Sequence, residues 1–239
     1  MKTQKILTIG GNPKIEKSDA QGEYFTAILH LAPAKLSGYE TCPGRSAGCS
    51  QACLNTAGRG RFDSIQAARI KKTRFFFERK AEFLMQLAKE LSAFEKRCKK
   101  LGLKAAVRLN GTSDILWEKT GIISAFPNVQ FYDYTAIEAR FRQSWQLPAN
   151  YHLTFSLKED NAEKAARVLA NGGNVAAVFR NQLPETFMGY PVVNGLETDL
   201  RFKDRKNVVV GLLAKGKAKK DQSGFVQDIP AAACGGKVA

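Results

Sequence analysis

From residue 105 onward, short apolar runs alternate with helical stretches, and no other feature of the chain limits its fold so tightly. Residues 105–109 (AAVRL), 129–132 (VQFY), 151–155 (YHLTF), 175–179 (VAAVF) and 208–214 (VVVGLLA) read as strands. Near-continuous apolar runs of this length suit strands buried on both faces. Between them, helices are predicted over a short stretch after residue 114, from 135 to about 145, and over 160–170, the last ended by Asn171-Gly172-Gly173. Upstream, residues 24–31 (YFTAILHL) form a further strand ended by Pro33. Asp63 or Ser64 opens a long helix running to about residue 100. Phe83, Leu84, Leu87, Leu91, Phe94 and Cys98 line one face of it at the spacing of a buried stripe. Strands that alternate with helices predict βα units on a parallel sheet. With no Gly-x-Gly-x-x-Gly turn, the expectation is an α/β fold: a partial or open (β/α) barrel with a mainly parallel sheet. A single domain is expected, with a βα core over residues 23–214, a loop at 42–53 and a basic, mobile tail at 215–239.

That loop carries three cysteines in twelve residues, Cys42, Cys49 and Cys53, in the pattern CX6CX3C, against five in the whole chain. Thiolates are gathered in this way chiefly to hold zinc or an iron–sulfur cluster. Structural zinc takes four closed ligands. Three thiolates on a cubane leave one iron open, so the identity of a fourth ligand matters. Cys234 in the tail and His30 on the strand before the loop are the alternatives. Cys98, on the apolar stripe, is expected in the core. Pro43, Gly44 and Gly48 make the loop tight enough to wrap an ion.

The chain is strongly basic, with 37 Lys+Arg against 22 Asp+Glu and a formal net charge of +15. Such a surface attracts polyanions, nucleic acid first among them. Arg59, Arg61, Lys71 and Lys72, interleaved with Phe75, Phe76 and Phe77, are the residues expected to meet its backbone. No apolar run approaches a membrane span and no secretory leader pattern opens the chain, so a cytoplasmic location is expected. A reducing compartment favours a metal site over a disulfide for clustered cysteines. The chain has no nucleophile–base pair, no His-x-x-x-His and no phosphate-binding Walker loop, which argues against hydrolytic chemistry.

In parallel sheets, ligands collect beyond the carboxyl ends of the strands. The polar residues fall there: the cysteine loop, then Asn110, Thr112, Ser113 and Asp114, then Asp133, Tyr134 and Thr135, then Ser156, Lys158, Glu159, Asp160 and Asn161, and finally Lys215 and Lys217.

The segments GGNPK, TAILHLAPAKLSG, CPGRSAGCSQACLNTAGRG, VRLNGTSDI, FYDYT, PANYHLTFS, DLRF and VVVGLLAKGKAKKDQSGF resemble the phage family catalogued as gene product eighty-eight, over nearly the whole chain. The resemblance implies a phage or prophage origin and a place inside a bacterial host cell, and it brings no activity with it. The architecture also resembles radical S-adenosylmethionine enzymes, in which a three-cysteine loop after the first strand holds a [4Fe–4S] cluster. The spacing here differs from their common CX3CX2C, and Ala52 stands where an aromatic residue is usual. This second resemblance implies that residues 110–114 face S-adenosylmethionine. Gly111 would then allow close backbone approach, Asn110 and Ser113 would hydrogen-bond the cofactor, and Asp114 would receive an amine or ribose hydroxyl. On that expectation Asn110 is dispensable for folding.

Overall fold

A computed structural model describes residues 5–10, 16, 19, 20 and 22–229. Ten strands form an unclosed, mostly parallel sheet: β1 Leu7–Ile9, β2 Tyr24–Leu29, β3 Lys104–Arg108, β4 Val129–Thr135, β5 Tyr151–Ser156, β6 Asn174–Phe179, β7 Thr186–Phe187, β8 Tyr190–Asn194, β9 Val209–Leu213 and β10 Val226–Gln227. Their order is β1-β2-β3-β4-β5-β6-β9-β8-β7. From β2 through β6 each strand lies parallel beside the next in sequence, with no reversal. Over these five strands the sheet therefore has no switch point of the dinucleotide-binding kind, and the order reverses only beyond β6, where β9 lies between β6 and β8. β1 is antiparallel to β2, and β7 to β8. β5 pairs with the first half of β6, through Ala176, while β10 pairs beside Val178 and Phe179. The chain thus returns late to complete the carboxyl end of β6. The expected α/β class with a mainly parallel sheet is what the structure has.

The core lies between the sheet and its helices: α1 Ala47–Gln51, α2 Asp63–Glu78, α3 Lys80–Lys100 and α4 Ala162–Ala170. α3 buries Phe83, Leu87, Leu91, Phe94 and Cys98 against Ala27, Leu29, Ala105, Val107, Val129 and Phe131, alternate residues from one face of β2 to β4. Each such side chain, fully buried, stabilises the fold by about 1.5–3 kcal/mol. On the other face Ala106 and Tyr132 pack under Leu200 and Phe202, from the segment that leads to β9. Among the described residues no helix is long and apolar enough to cross a membrane.

Three expectations about elements need correction. The helix over 63–100 is two helices. Arg79, at φ −136° and ψ 54°, breaks the run, and Phe76 and Phe83 from either side of the break then meet edge to face at 5.2 Å. The helix over 135–145 is two short 3-10 turns, Glu138–Phe141 and Gln143–Trp145. There the fully buried Arg140 reaches Asp114, Glu118 and Tyr151, and these contacts override the weak local preference. Finally, residues 215–229 are part of the fold: a 3-10 turn over Gly216–Lys220 buries Ala218, and β10 joins the sheet. The remainder of the tail, Cys234 included, lies outside the described residues.

Candidate metal centre at the strand ends

The cysteine loop leaves β2 and crosses the carboxyl ends of the next three strands, fastened at each. Thr41 Oγ1 donates to Ala32 O at 2.7 Å, and Asp114 N donates to Thr41 O at 2.7 Å, fixing the loop to the end of β3. Gly44 lies against Ala136 beyond β4, where a Cβ would stand 3.1 Å from the alanine methyl. Beyond β5, Lys158 Nζ donates to Gly44 O. Glu159 accepts from Ser46 Oγ at 2.7 Å and from Gly48 N at 2.6 Å. Ser46 caps α1, accepting from Cys49 N. On the far side Ala52 shares a small buried cluster with Ala214, Ala218 and Val226.

This frame brings the three thiols within electrostatic reach of one another. None is in a disulfide. Cys42 Sγ accepts from Ala34 N at 3.4 Å, and Cys53 Sγ from Asn55 N at 3.5 Å. Such N–H donors favour a thiolate. Burial pushes all three thiols up, Cys49 to about 11, and Cys49 also feels Cys53 and Cys42. As placed, no group of three or more metal-capable side chains among the described residues stands close enough to hold an ion.

Arg69 of α2 sits under the turn that follows Cys53. Its Nη1 donates to Asn55 Oδ1, while its Nε is buried without a partner. Burial pulls its pKa down, and Cys53 is the group that pulls it back. Among the described residues no carboxylate is paired with it, and Cys53 is the anionisable group whose charge favours this guanidinium. His30 stands within electrostatic reach of Arg69, Arg108 and Lys72. Burial, followed by those cations, pulls it down to about 3 and keeps the imidazole neutral. Cys98 is in the core, on α3.

The turn 110–114 faces the loop but uses its polar atoms internally. Asn110 Oδ1 accepts from Ser113 Oγ, Ile115 N and Trp117 Nε1, and Asn110 Nδ2 donates to Ile115 O, all between 2.9 and 3.0 Å. Asp114 accepts from Ala136 N at 2.9 Å and pairs with Arg140 at 3.2 Å. Gly111 is required by packing: a Cβ there would stand 2.7 Å from Leu29 O and from Ile28 Cγ2 of β2. What this turn offers the mouth is the Thr112 carbonyl, 3.9 Å from Cys42 Sγ. Where the expectation has Asn110, Ser113 and Asp114 turned to a ligand, the structure has their side chains hydrogen-bonded within the protein. Beneath the turn, Asp133 accepts from Asn110 N at 2.8 Å and Tyr151 OH at 2.9 Å, and burial pushes it up to about 7.

Of the basic residues expected to meet a polyanion, Arg59, Arg61 and Lys71 are exposed. Lys72 is not: it is buried, donates to Ile6 O at 3.3 Å, and is pulled down to about 8 by burial and by Arg69. It faces inward on α2, where Ile6, the residue before β1, supplies an acceptor. Arg69 was missed as a member of the site because nothing in its sequence neighbourhood points to Cys53. Glu159 and Lys158 were visible only as polar strand-end residues, without their role as clamps.

The family model described as Gene product 88 matches residues 3–229. No curated protein and no solved structure matches the chain.

Proposed function

We propose, for a chain that belongs to the Gene product 88 family, that Cys42, Cys49 and Cys53 together hold a metal centre, a [4Fe–4S] cluster, in a cytoplasmic, phage-encoded protein of radical S-adenosylmethionine type acting on nucleic acid or nucleotides. The observation that carries the reading is the half-buried, carboxylate-free Arg69 beside Cys53, its Nε buried without a partner. A cation partly withdrawn from water is favoured by a nearby counter-charge, and a thiolate bound to metal supplies a permanent one. The donor set fits: three unbridged thiols, two of them already accepting backbone N–H groups. The loop lies where a partial-barrel reading of the one-directional strand order would put ligand. Held by Cys42, Cys49 and Cys53, such a cluster would supply one-electron reduction of S-adenosylmethionine, drawing on an external reductant.

The chain's own residues would do the rest. Ala34 N and Asn55 N would oppose the burial that favours neutral thiols at Cys42 and Cys53, Arg69 would balance the charge of metal-bound thiolates, and Lys158 and Glu159 keep the loop over the strand ends. A second reading, a non-catalytic iron–sulfur or zinc centre, is favoured by the internal bonding of residues 110–114, which leaves few side-chain groups for a second cofactor. His30, held neutral, has the protonation state a fourth ligand needs.

The test is anaerobic reconstitution followed by iron, sulfide and zinc analysis, with electron paramagnetic resonance before and after S-adenosylmethionine. Iron and sulfide in cubane ratio, lost in each of Cys42→Ala, Cys49→Ala and Cys53→Ala but kept in Cys98→Ala, are expected. A spectrum that changes on adding S-adenosylmethionine supports the enzyme. Zinc, or a cluster indifferent to S-adenosylmethionine, supports the second reading. A Cys49→Ala protein that retains its full metal content refutes both.

A further inference from the structure

Two stretches about 160 residues apart in sequence meet beside Cys53. The turn at 54–57 packs against the turn Gly216–Lys220, where the Cα-side space of Gly216 is closed by Ala57 and by Thr56 O. Ala52 and Ala218 share one buried cluster beneath them. This junction brings six exposed cations to one rim of the mouth: Arg59, Arg61, Lys215, Lys217, Lys219 and Lys220. Neither stretch, 54–62 or 215–220, contains an acidic residue. Among the described residues none of the six is in an ion pair with a carboxylate, unlike Arg79, Arg45 and Arg167 elsewhere on the surface and unlike Arg180, which borders the rim, donates to Lys219 O and pairs with Asp228. The same rim exposes two large apolar side chains, Leu54 at 61% and Phe62 at 51%. Arg61 lies 5.7 Å from the centre of the Phe62 ring.

We propose that this composite rim docks single-stranded nucleic acid, its phosphates on the six cations and an unpaired base on Phe62, leading the strand to the cysteine mouth. Unpaired positive charge alone would suit any polyanion. The exposed aromatic ring among the cations selects among them. Base stacking on an aromatic side chain needs a base that is free of its partner, and an arginine over the same ring adds to the platform. A duplex keeps its bases stacked on one another and would leave Phe62 and Leu54 unused, and an acidic protein segment would use the cations but bring no base to stack on the ring. The inference names the substrate class of the reading above and rests on that reading for the chemistry at the mouth. The docking itself needs no metal.

The experiment is fluorescence anisotropy on the full chain with a labelled oligothymidylate, the corresponding DNA duplex, and polyglutamate as competitor, in the metal-free and the reconstituted protein. The single strand is expected to bind at low salt, with affinity falling steeply as salt rises. Phe62→Ala should weaken it about 5- to 100-fold with the salt dependence unchanged, the loss of one stacked base. The triple reversal Lys217→Glu, Lys219→Glu, Lys220→Glu should weaken it more than ~10-fold and flatten the salt dependence. The matched reversal Lys96→Glu, Lys99→Glu, Lys100→Glu, on exposed residues at the far end of α3, should change it less than ~2-fold. Equal losses from the two reversals, equal affinity for duplex and single strand, displacement by polyglutamate as effective as by DNA, or an unaltered Phe62→Ala protein would each overturn the proposal. Strand binding by a protein that takes up no metal upholds the docking surface and removes the metal reading. A reconstituted cluster with no strand binding does the reverse.

Discussion

Replacing Asn110 by alanine tests whether the turn at 110–114 is scaffold or ligand contact. The side chain is 3% exposed and makes four hydrogen bonds, three to Oδ1 and one from Nδ2. Ser113 can rotate its hydroxyl elsewhere. Ile115 O keeps the bond it accepts from Trp117 N at 3.0 Å, but Ile115 N and the indole N–H of the fully buried Trp117 cannot move without disturbing the core. Each polar group stranded in this way costs about 1–3 kcal/mol. Two of them, partly relieved by entering water, give about 2–4 kcal/mol, a large share of the roughly 5–15 kcal/mol that holds a typical domain together. Ser113→Ala removes one bond and should cost about 1 kcal/mol. In the Asn110→Ala background it should cost almost nothing, because its partner is already gone. Urea unfolding of the four proteins, followed by far-ultraviolet circular dichroism and tryptophan fluorescence, gives the cycle. An Asn110→Ala protein within about 1 kcal/mol of the parent, or additive losses, would refute the scaffold role and return Asn110 to the cofactor side.

Two further predictions concern the same region. Asp133 carries a carboxyl pushed from 3.8 to about 7 by burial, ahead of the opposing pull of Arg108. Between those pH values the folded protein keeps a proton that the unfolded chain releases, so Asp133 makes stability fall as pH rises through that window and level off above it, by up to about 4 kcal/mol. Asp133→Asn keeps an acceptor for Asn110 N and should flatten this part of the profile. A parent-minus-variant difference that is the same at either end of the window would refute the assignment. Glu159→Ala removes the acceptor of Ser46 Oγ and Gly48 N. Amide exchange across residues 46–53 should speed up about 10- to 100-fold while α3 keeps its protection, as measured by mass spectrometry. Unchanged protection in the loop would show that Glu159 does not hold it.

The parallel strands were legible because a strand buried on both faces must be apolar along its length, and such runs are short and bounded. VAAVF and VVVGLLA could scarcely be anything else. The stripe of α3 was legible for the matching reason at helical period. What failed depended on partners distant in sequence. Arg140 turns 138–141 into a tight 3-10 turn because Asp114, Glu118 and Tyr151 wait for it. β10 is two residues long and has no strand signal of its own, since its pairing is offered by the upper half of β6. Lys72 reads like Lys71 in sequence, and only the turn of α2 toward Ile6 separates a buried amine from an exposed one.

By itself, then, the sequence determined the class of fold, the direction of its sheet and the presence of three thiols in one tight loop, because periodicity and cysteine spacing are local properties. The tertiary structure decided which side chains are free to act. It used Asn110, Ser113 and Asp114 in packing a turn, placed Arg69 beneath Cys53, made Glu159 a clamp, and joined residues 54–62 to 215–220 in one basic rim. The physical reason is that a polar group's availability is what remains after its neighbours in space have been satisfied, and those neighbours are chosen by the fold.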